Sequence, residues 1–409
     1  MSQQGPLIVV ASEERQPFAA SLSGLNMFPV IEAGWTEVPD AIERLHPAAV
    51  LVTTTEGADA AFVQLAKQIA AMQPYVPLVV TAPATVCADN ALPFLSPDHD
   101  RLGARLSAAL RVRTLHTTVL RRSTSDPAMR LREPDTDPLQ DATILLIGRG
   151  GAYPALSVTF GERLGVVGAL SIEAAAKHLN ARDLDGIVIG EGFTPRVVDA
   201  FLTVLAEDTR FRNLPVAVTA GGLAAAYDLP NLEIIEDEPA RIADLFLPLV
   251  RQHAFEARLY RTLKSLDAGG LLDPRTGLLT IEAFHRELAT AIHQTQSQGG
   301  ILSIARFSLG PKQDRLLFDA ARILSRLMRR MDFGALESDG SILVVFTDTD
   351  LRNAHMIARR LSSVMKHTAH SIKREQRIDP RVILASSLPN DSAKSLLARL
   401  KNEASRAAS

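Results

Sequence analysis

Short, wholly aliphatic runs bounded by turn residues are the feature that most restricts the fold of this chain. Leu7-Ile8-Val9-Val10, Ala49-Val50-Leu51-Val52 and Pro77-Leu78-Val79-Val80 are each too short for a helix and apolar on both faces. That suits strands buried on both sides in a parallel sheet. Helical patterns lie between them, at residues 40–45 and 60–71, and the β-α-β-α order predicts a doubly wound α/β domain. The spacing returns in Ile144-Leu145-Leu146-Ile147, Gly186-Ile187-Val188-Ile189 and Pro215-Val216-Ala217-Val218, offset by about 137 residues. Such a repeat reads as an internal duplication.

Residues 114–140 break the rhythm. Arg121-Arg122-Ser123-Thr124-Ser125-Asp126-Pro127 and Glu133-Pro134-Asp135-Thr136-Asp137-Pro138 are polar and punctuated by proline, as linkers are. Residues 240–266 read as a long amphipathic helix that could carry a signal or a dimer seam. Ile242, Leu245, Leu249, Phe255, Leu259 and Leu263 stand near helical spacing, and Pro248 is a point where the helix kinks or splits. From residue 271 the pattern changes. Helices starting near Thr280, Asp314 and Asn353 alternate with strands at 300–307, 341–347 and 381–386, with a hairpin at 336–347.

Composition bounds the class. At 409 residues with 46% hydrophobic and 22% charged side chains, the chain exceeds one ordinary domain and is too apolar to be disordered. Its single cysteine, Cys87, cannot close an intramolecular disulfide and has no metal-spaced partners, which points to a reducing compartment. The N-terminus has no basic segment, and its first apolar run, residues 7–11, is shorter than a signal sequence or a span. A soluble cytoplasmic protein with no membrane contact is expected. The formal net charge of −2 hides an asymmetry: residues 271–409 hold 21 Lys and Arg against 14 Asp and Glu, and the preceding 270 residues are acidic by nine. A basic C-terminal third could attract a nucleotide, a nucleic acid or an acidic protein surface. Aromatic content of 5% and the lack of a binding motif argue against nucleic acid.

The C-terminal third opens on Asp273-Pro274-Arg275-Thr276-Gly277-Leu278-Leu279. This resembles the D-x-L-T-G-L-x motif of GGDEF domains with Arg275 in the leucine slot, and a helix around Phe284 and Leu288 follows. The C-terminal third thus resembles a GGDEF domain, the diguanylate cyclase fold. Each of the two N-terminal units resembles a response-regulator receiver domain. The fold class that follows is α/β, two tandem doubly wound receiver-like domains and then an α/β GGDEF domain. The boundaries are 1–115 for the first receiver-like domain, 116–140 for a linker, 141–268 for the second receiver-like domain and 269–409 for the GGDEF domain.

The resemblance implies lost chemistry. A receiver needs an acidic pair for Mg²⁺, a strand-end aspartate to take phosphate and a lysine to sense it. In the first unit these positions hold Ala11-Ser12, Thr53 and Ser96 before Pro97, with Thr81 alone matching the hydroxyl position. Glu13 and Glu14 stand two residues late and read as solvated surface. In the second unit they hold Gly148-Arg149, Gly190 and Glu238 before Pro239, with Thr219 at the hydroxyl position. Gly148-Arg149-Gly150-Gly151 lacks the lysine and spacing of a phosphate loop. A cyclase holds two Mg²⁺ ions on strand and hairpin carboxylates; here Ala305, Phe307 and Gly340 take those places. The stretch 305–329 is about two helical turns short of the family's, and the chain stops at Ala407-Ala408-Ser409, where the family has a phosphate-binding lysine. No catalytic residue, metal or cofactor is expected.

One constellation persists. The family's inhibitory site for cyclic di-GMP uses an R-x-x-D pair five residues ahead of the hairpin motif and an arginine on the next helix. Arg329, Asp332 and Arg360 fill those slots, with Arg359 leaving the third open by one place. Arginine can pair with guanine O6 and N7 or with phosphate, and a carboxylate can accept from the guanine Watson–Crick edge. R-x-x-D also occurs by chance at solvated helix ends. His285 and His293, eight apart on one helix with no third ligand, read as surface histidines. Trp35 reads as packing at a domain edge, and Leu327 and Met328 as part of an apolar helix face that ends near Arg330.

The resemblance therefore implies a non-catalytic cyclic di-GMP effector or adaptor in bacterial signalling. Its setting would be cell-cycle control with ClpXP-type proteolysis, as a homodimer through the receiver-like domains, possibly at a cell pole. A structural scaffold without nucleotide binding and a residual cyclase are the alternatives.

Overall fold

The computed structural model describes residues 5–10, 29–54, 58–81, 88–96, 100–125, 136–221, 223, 227–310, 314–366 and 380–408. The chain divides into two compact units. One holds the described residues up to Leu259 apart from Ala176–Asp183; the other holds Tyr260–Ser409 together with Ala176–Asp183.

The first unit contains two five-stranded parallel sheets. In the first sheet, strands β1 (Leu7–Val10), β2 (Val30–Ala33), β3 (Ala49–Val52), β4 (Leu78–Val80) and β5 (Ala91–Pro93) stand in the order β2-β1-β3-β4-β5. Helices α1 (Val38–Leu45), α2 (Asp59–Ala70) and α3 (Asp100–Ser125) accompany them. In the second, β6 (Thr143–Ile147), β7 (Gly165–Ala169), β8 (Gly186–Ile189), β9 (Val216–Val218) and β10 (Leu232–Ile234) repeat that order as β10-β9-β8-β6-β7, with helices α4 (Tyr153–Gly161), α5 (Ile172–Ala181), α6 (Pro195–Glu207) and α7 (Pro239–Asp267). Both sheets have the 2-1-3-4-5 doubly wound order expected from the aliphatic runs. The edge strands β2, β5, β7 and β10 are additions to those runs. Helix α3 runs through Ser125, across the start of the stretch read as a linker, and α7 continues through Pro248 without a break.

Why the strands are apolar on both faces is visible in the cores. On the first sheet Ile8, Val10, Val50, Val52, Leu78 and Val80 face one cluster with Phe62 and Ile69. The alternate residues Leu7, Val9, Leu51, Val79 and Leu92 join a second cluster with Leu102, Leu106 and Leu110 of α3. That second cluster does not stop at the edge of the first sheet. It continues through Ile144, Leu146 and Val188 of the second sheet and Ile242, Phe246 and Val250 of α7. The two doubly wound layers thus share one core, and two of the three segments expected as separate domains pack as one unit. Trp35 lies partly buried against the first cluster, as its reading predicted.

An ion pair sits in this shared core. Arg105 of α3 and Glu233 of β10 have side chains 0% and 1% exposed, with Nη2 and Oε1 2.5 Å apart. Arg105 also donates from Nε to Pro230 O and from Nη1 to Pro93 O, both at 2.6 Å. The second oxygen of Glu233 accepts from Leu95 N at 3.0 Å. Arg101 adds a bond to Leu232 O at 2.9 Å. Burial pushes the guanidinium down and the carboxyl up, and their contact opposes both shifts. Further along α3, Tyr75 donates its backbone N–H to His116 Nδ1 at 3.0 Å, Gln252 donates to Tyr75 Oη at 3.1 Å, and the Phe255 ring packs on the rings of Tyr75 and His116.

The second unit carries an antiparallel sheet in the order β12-β13-β11-β14, built from β11 (Ser303–Ser308), β12 (Phe333–Leu336), β13 (Ile342–Phe346) and β14 (Arg381–Ser386). Helices α9 (Asp314–Leu327) and α10 (Leu351–Lys366) cover one face through Ile323, Leu324, Ala354, Ala358 and Leu361. Helices α8 (Ile281–Gln298) and α11 (Ala393–Ala408) cover the other through Phe284, Leu288, Leu396 and Leu400. Asp273 explains the opening motif. Its Oδ1 accepts from Arg275 N, Thr276 N and Thr276 Oγ1 at 2.8, 2.9 and 3.1 Å, and Gly277 follows at φ +74°. Only a residue tolerant of the left-handed region closes that turn without strain. Arg275, in the leucine slot, stacks over Phe318 at 3.8 Å.

Replacing Glu233 by leucine leaves a buried guanidinium without its counter-charge and is expected to cost about 3–5 kcal/mol, measured as a shift of the urea midpoint; a loss under about 1 kcal/mol would contradict this role. His116 gives a pH dependence. Burial, helped by the Arg113 charge, pushes its imidazole below the ordinary 6.5, so the unfolded chain takes up a proton before the folded one does. Stability should be full above about 6.5 and fall on acidification toward the depressed folded value. Thermal melts of His116→Gln should show a shallower fall than the wild type.

Candidate functional site

The three sheets each offer a place where the family chemistry would sit. At the carboxyl end of the first sheet, Thr53 is buried and its hydroxyl donates to Val10 O at 3.1 Å. Thr81 Oγ1 donates in turn to Thr53 O at 3.3 Å. These hydroxyls tie strand ends together. Ala11, Ser12, Glu13, Glu14, Cys87 and Pro97 lie outside the described residues, and Ser96 is described.

In the second sheet, Gly190 N donates to Ile147 O at 2.7 Å and Thr219 Oγ1 to Ile189 O at 3.4 Å. The glycine-rich loop after β6 is occupied by the chain itself. A Cβ on Gly150 would collide with the Glu191 side chain, so a carboxylate already stands over the loop where a phosphate loop would need open space. Arg149 bonds to Leu170 O and lies over the Phe193 ring at 5.5 Å. Glu238 is exposed, its N–H bonded to Asp237 Oδ1 at 2.7 Å.

In the third sheet, Ala305 and Phe307 of β11 are fully buried members of the apolar cluster under α9 and α10. The hairpin carries charge on different positions. Arg306 pairs with Asp339 and, at 3.4 Å, with Glu337 Oε2. Ser341 Oγ donates to Glu337 Oε2 at 2.8 Å or Asp339 Oδ1 at 2.6 Å, and Lys401 Nζ stands 3.9 Å from Glu337. Burial pushes the Asp339 carboxyl up, but the Ser341 bonds and the Arg306 charge outweigh it and hold the group below the usual carboxylate range. Among the described residues no three His, Cys, Asp or Glu side chains gather as metal ligands would. His285 and His293 are exposed on α8.

The turn between α9 and β12 brings Arg329 and Asp332 together. Helix α9 ends at Leu327, short of the end expected near Arg330, so the pair lies in a tight turn closed by Asp332 N donating to Arg329 O at 3.0 Å. Leu327 and Met328 pack against the core. Asp332 is 8% exposed. Its Oδ2 accepts from Arg329 N at 3.3 Å and its Oδ1 from Thr347 N at 3.2 Å, so the carboxylate latches the turn to the end of β13. Burial pushes its carboxyl up; those two amides, the Arg329 charge and the Thr347 side chain pull it back without cancelling the shift. Arg329 and Arg330 are exposed, as are Arg359 and Arg360 on α10. No hydrogen bond or ion pair among the described residues ties Arg360 to Arg329 or Asp332.

Sequence reasoning passed over Arg306 and the Arg105–Glu233 pair. The signal for the second was present: a lone carboxylate in the strand Leu232-Glu233-Ile234, and Arg105 as the one charge in the run 102–110 of small and aliphatic residues in α3, are charges where the pattern demands burial.

No family model matches this chain, and neither does any curated protein. Solved structures do over part of it. The GGDEF domain of DgcB from Caulobacter crescentus, in complex with c-di-GMP, is 16% identical over 34% of this chain and 88% of that one, with a TM-score of 0.31. A sensory box/GGDEF family protein from Caulobacter crescentus CB15 is 24% identical over 32% and 94%, at 0.27. The diguanylate cyclase SiaD in complex with its activator SiaC, from Pseudomonas aeruginosa, is 17% identical over 36% and 65%, at 0.30. Over about a third of its length the chain is thus similar to GGDEF domains.

If the Asp332 carboxylate latches the turn, Asp332→Ala leaves Arg329 N and Thr347 N without their acceptor. It should then destabilise the protein by about 1–3 kcal/mol in chemical denaturation, and a neutral result would remove the latch.

Proposed function

We propose that this protein is a non-catalytic receptor for cyclic di-GMP, a degenerate GGDEF domain carried behind two degenerate receiver-like modules. The observation that carries the reading is the turn itself: Arg329 is exposed beside Asp332, whose Oδ2 accepts from Arg329 N while its Oδ1 faces Thr347. A carboxylate oxygen has room for a second donor. Guanine N1–H and its exocyclic amine would supply such donors and stabilise a charge that burial penalises. The Arg329 guanidinium would take O6 and N7 or a phosphate, and Arg360 would neutralise the second phosphate or stack on a base.

The same unit supports the absence of cyclase chemistry. Ala305, Phe307 and Gly340 offer no side-chain oxygen at the places a cyclase uses for Mg²⁺, and the first two are consumed in the core. The residues present do not fit a two-metal centre. On a resemblance of this layout to PopA, the reading extends to an adaptor in cell-cycle control that serves ClpXP-type proteolysis in the cytoplasm, at a cell pole. No helix among the described residues is long and apolar enough to cross a membrane. A homodimer through the receiver-like modules would use a surface other than the α3 and α7 faces, because those are packed together within one chain.

A purely structural scaffold is the second reading, favoured by the commitment of the Asp332 carboxylate to the fold. Titration calorimetry of the full chain with cyclic di-GMP separates the two. The receptor predicts heat from the wild type, its loss in Arg329→Ala at unchanged melting temperature, and no GTP turnover with Mg²⁺. No heat from the wild type would leave the scaffold.

A further inference from the structure

Helix α10 is two-sided. Ala354, Ala358, Leu361, Ser362 and Met365 recur at three- and four-residue steps and are buried. On the outer side of its first turns two large apolar side chains stand among cationic and polar ones. Leu351 and Met356 are 43% and 58% exposed, and together with Arg352, His355 and Arg359 they line an open hollow of about 530 Å³. Leu351, His355 and Arg359 fall on one i, i+4 row, and Arg352 and Met356 on the row beside it. Each apolar side chain therefore has a cation within a turn of it.

The charge on this face is uncompensated. None of the lining residues is acidic. Asp350, the adjacent acid, is turned onto the helix start, where its oxygens accept from Asn353 N at 2.7 Å and Asn353 Nδ2 at 3.2 Å. Among the described residues neither Arg352 nor Arg359 is in an ion pair. In the same unit Arg306 and Arg399 are held by Asp339 and Asp391.

We propose that this face of α10 docks an acidic segment of a partner protein, one with a bulky apolar anchor flanked by aspartate or glutamate. An apolar side chain would cover Leu351 and Met356, and the flanking carboxylates would meet Arg352 and Arg359. The chemistry disfavours other occupants. Nucleic acid would satisfy the arginines but leave the two apolar side chains unrewarded, and no Phe, Tyr or Trp ring lines the hollow for a base to stack on. A second copy would bring the same cations against each other. The positions varied below, Arg352 and Met356, are none of Arg329, Asp332, Arg359 and Arg360, so the test is separate from nucleotide binding.

Selection of random displayed peptides on the full-length protein tests it, with Arg352→Glu and Met356→Glu variants as counter-screens. Circular dichroism of the two variants should be unchanged, since both positions are exposed. The expected pool is rich in Asp and Glu around one bulky apolar residue. Its peptides should bind the variants at least about tenfold more weakly, which is about 1.4 kcal/mol, and should weaken with salt. A pool of neutral or basic composition, equal binding to the variants, or no retained peptide overturns the proposal. Calorimetry with cyclic di-GMP on the same variants should match the wild type, which keeps a failure of docking distinct from a failure of nucleotide binding.

Discussion

A guanidinium and a carboxylate removed from water, Arg105 with Glu233, organise the first unit. Their partners in sequence are 128 residues apart, so the pair forms only when the second doubly wound layer has closed on the first. The apolar cluster around it supplies the bulk of the attraction. The pair itself adds direction: a buried charge tolerates few geometries, and Arg105 spends its donors on Pro93 O, Pro230 O and Glu233, fixing α3 against one edge of the second sheet. The faces that two separate receiver-like modules would leave exposed are covered by each other in this chain.

The strand ends of that unit follow from the same economy. At the strand ends the hydroxyls of Thr53, Thr81 and Thr219 donate to neighbouring carbonyls, and Glu191 fills the space over the glycine loop. The third sheet does likewise. Ala305 and Phe307 belong to the hydrophobic core, and the charges of the hairpin are settled between Arg306, Glu337 and Asp339. These polar groups are taken up by hydrogen bonds and ion pairs within the fold, as burial requires.

Asp332 is where structural and functional demands meet. It is legible in the sequence as the fourth residue of an R-x-x-D pair, but its neighbours are not. The turn that ends α9 at Leu327 and the amide of Thr347, fifteen positions on, decide where its oxygens point. The arginines that could complete a nucleotide site are exposed on separate elements, the turn and α10. A nucleotide with two phosphates could bridge such elements without a preformed contact between them.

The sequence by itself determined where the central strands lie, because a four-residue run apolar on both faces has few other uses. It likewise determined the doubling of the first unit and the absence of carboxylates at Ala305, Phe307 and Gly340. It determined the opening turn too, since Asp273 and Gly277 close it through neighbours in sequence. Edge strands such as β2 and β10 are short and carry Glu32 and Glu233, which hides them from an apolar pattern. Only the tertiary structure decided that two domains share one core, that Arg105 finds Glu233, and that the sheet covers one side of α10 and leaves Leu351 and Met356 outward. Each of these depends on contacts between residues far apart in the chain, and local periodicity carries no record of which of two apolar faces a neighbour will cover.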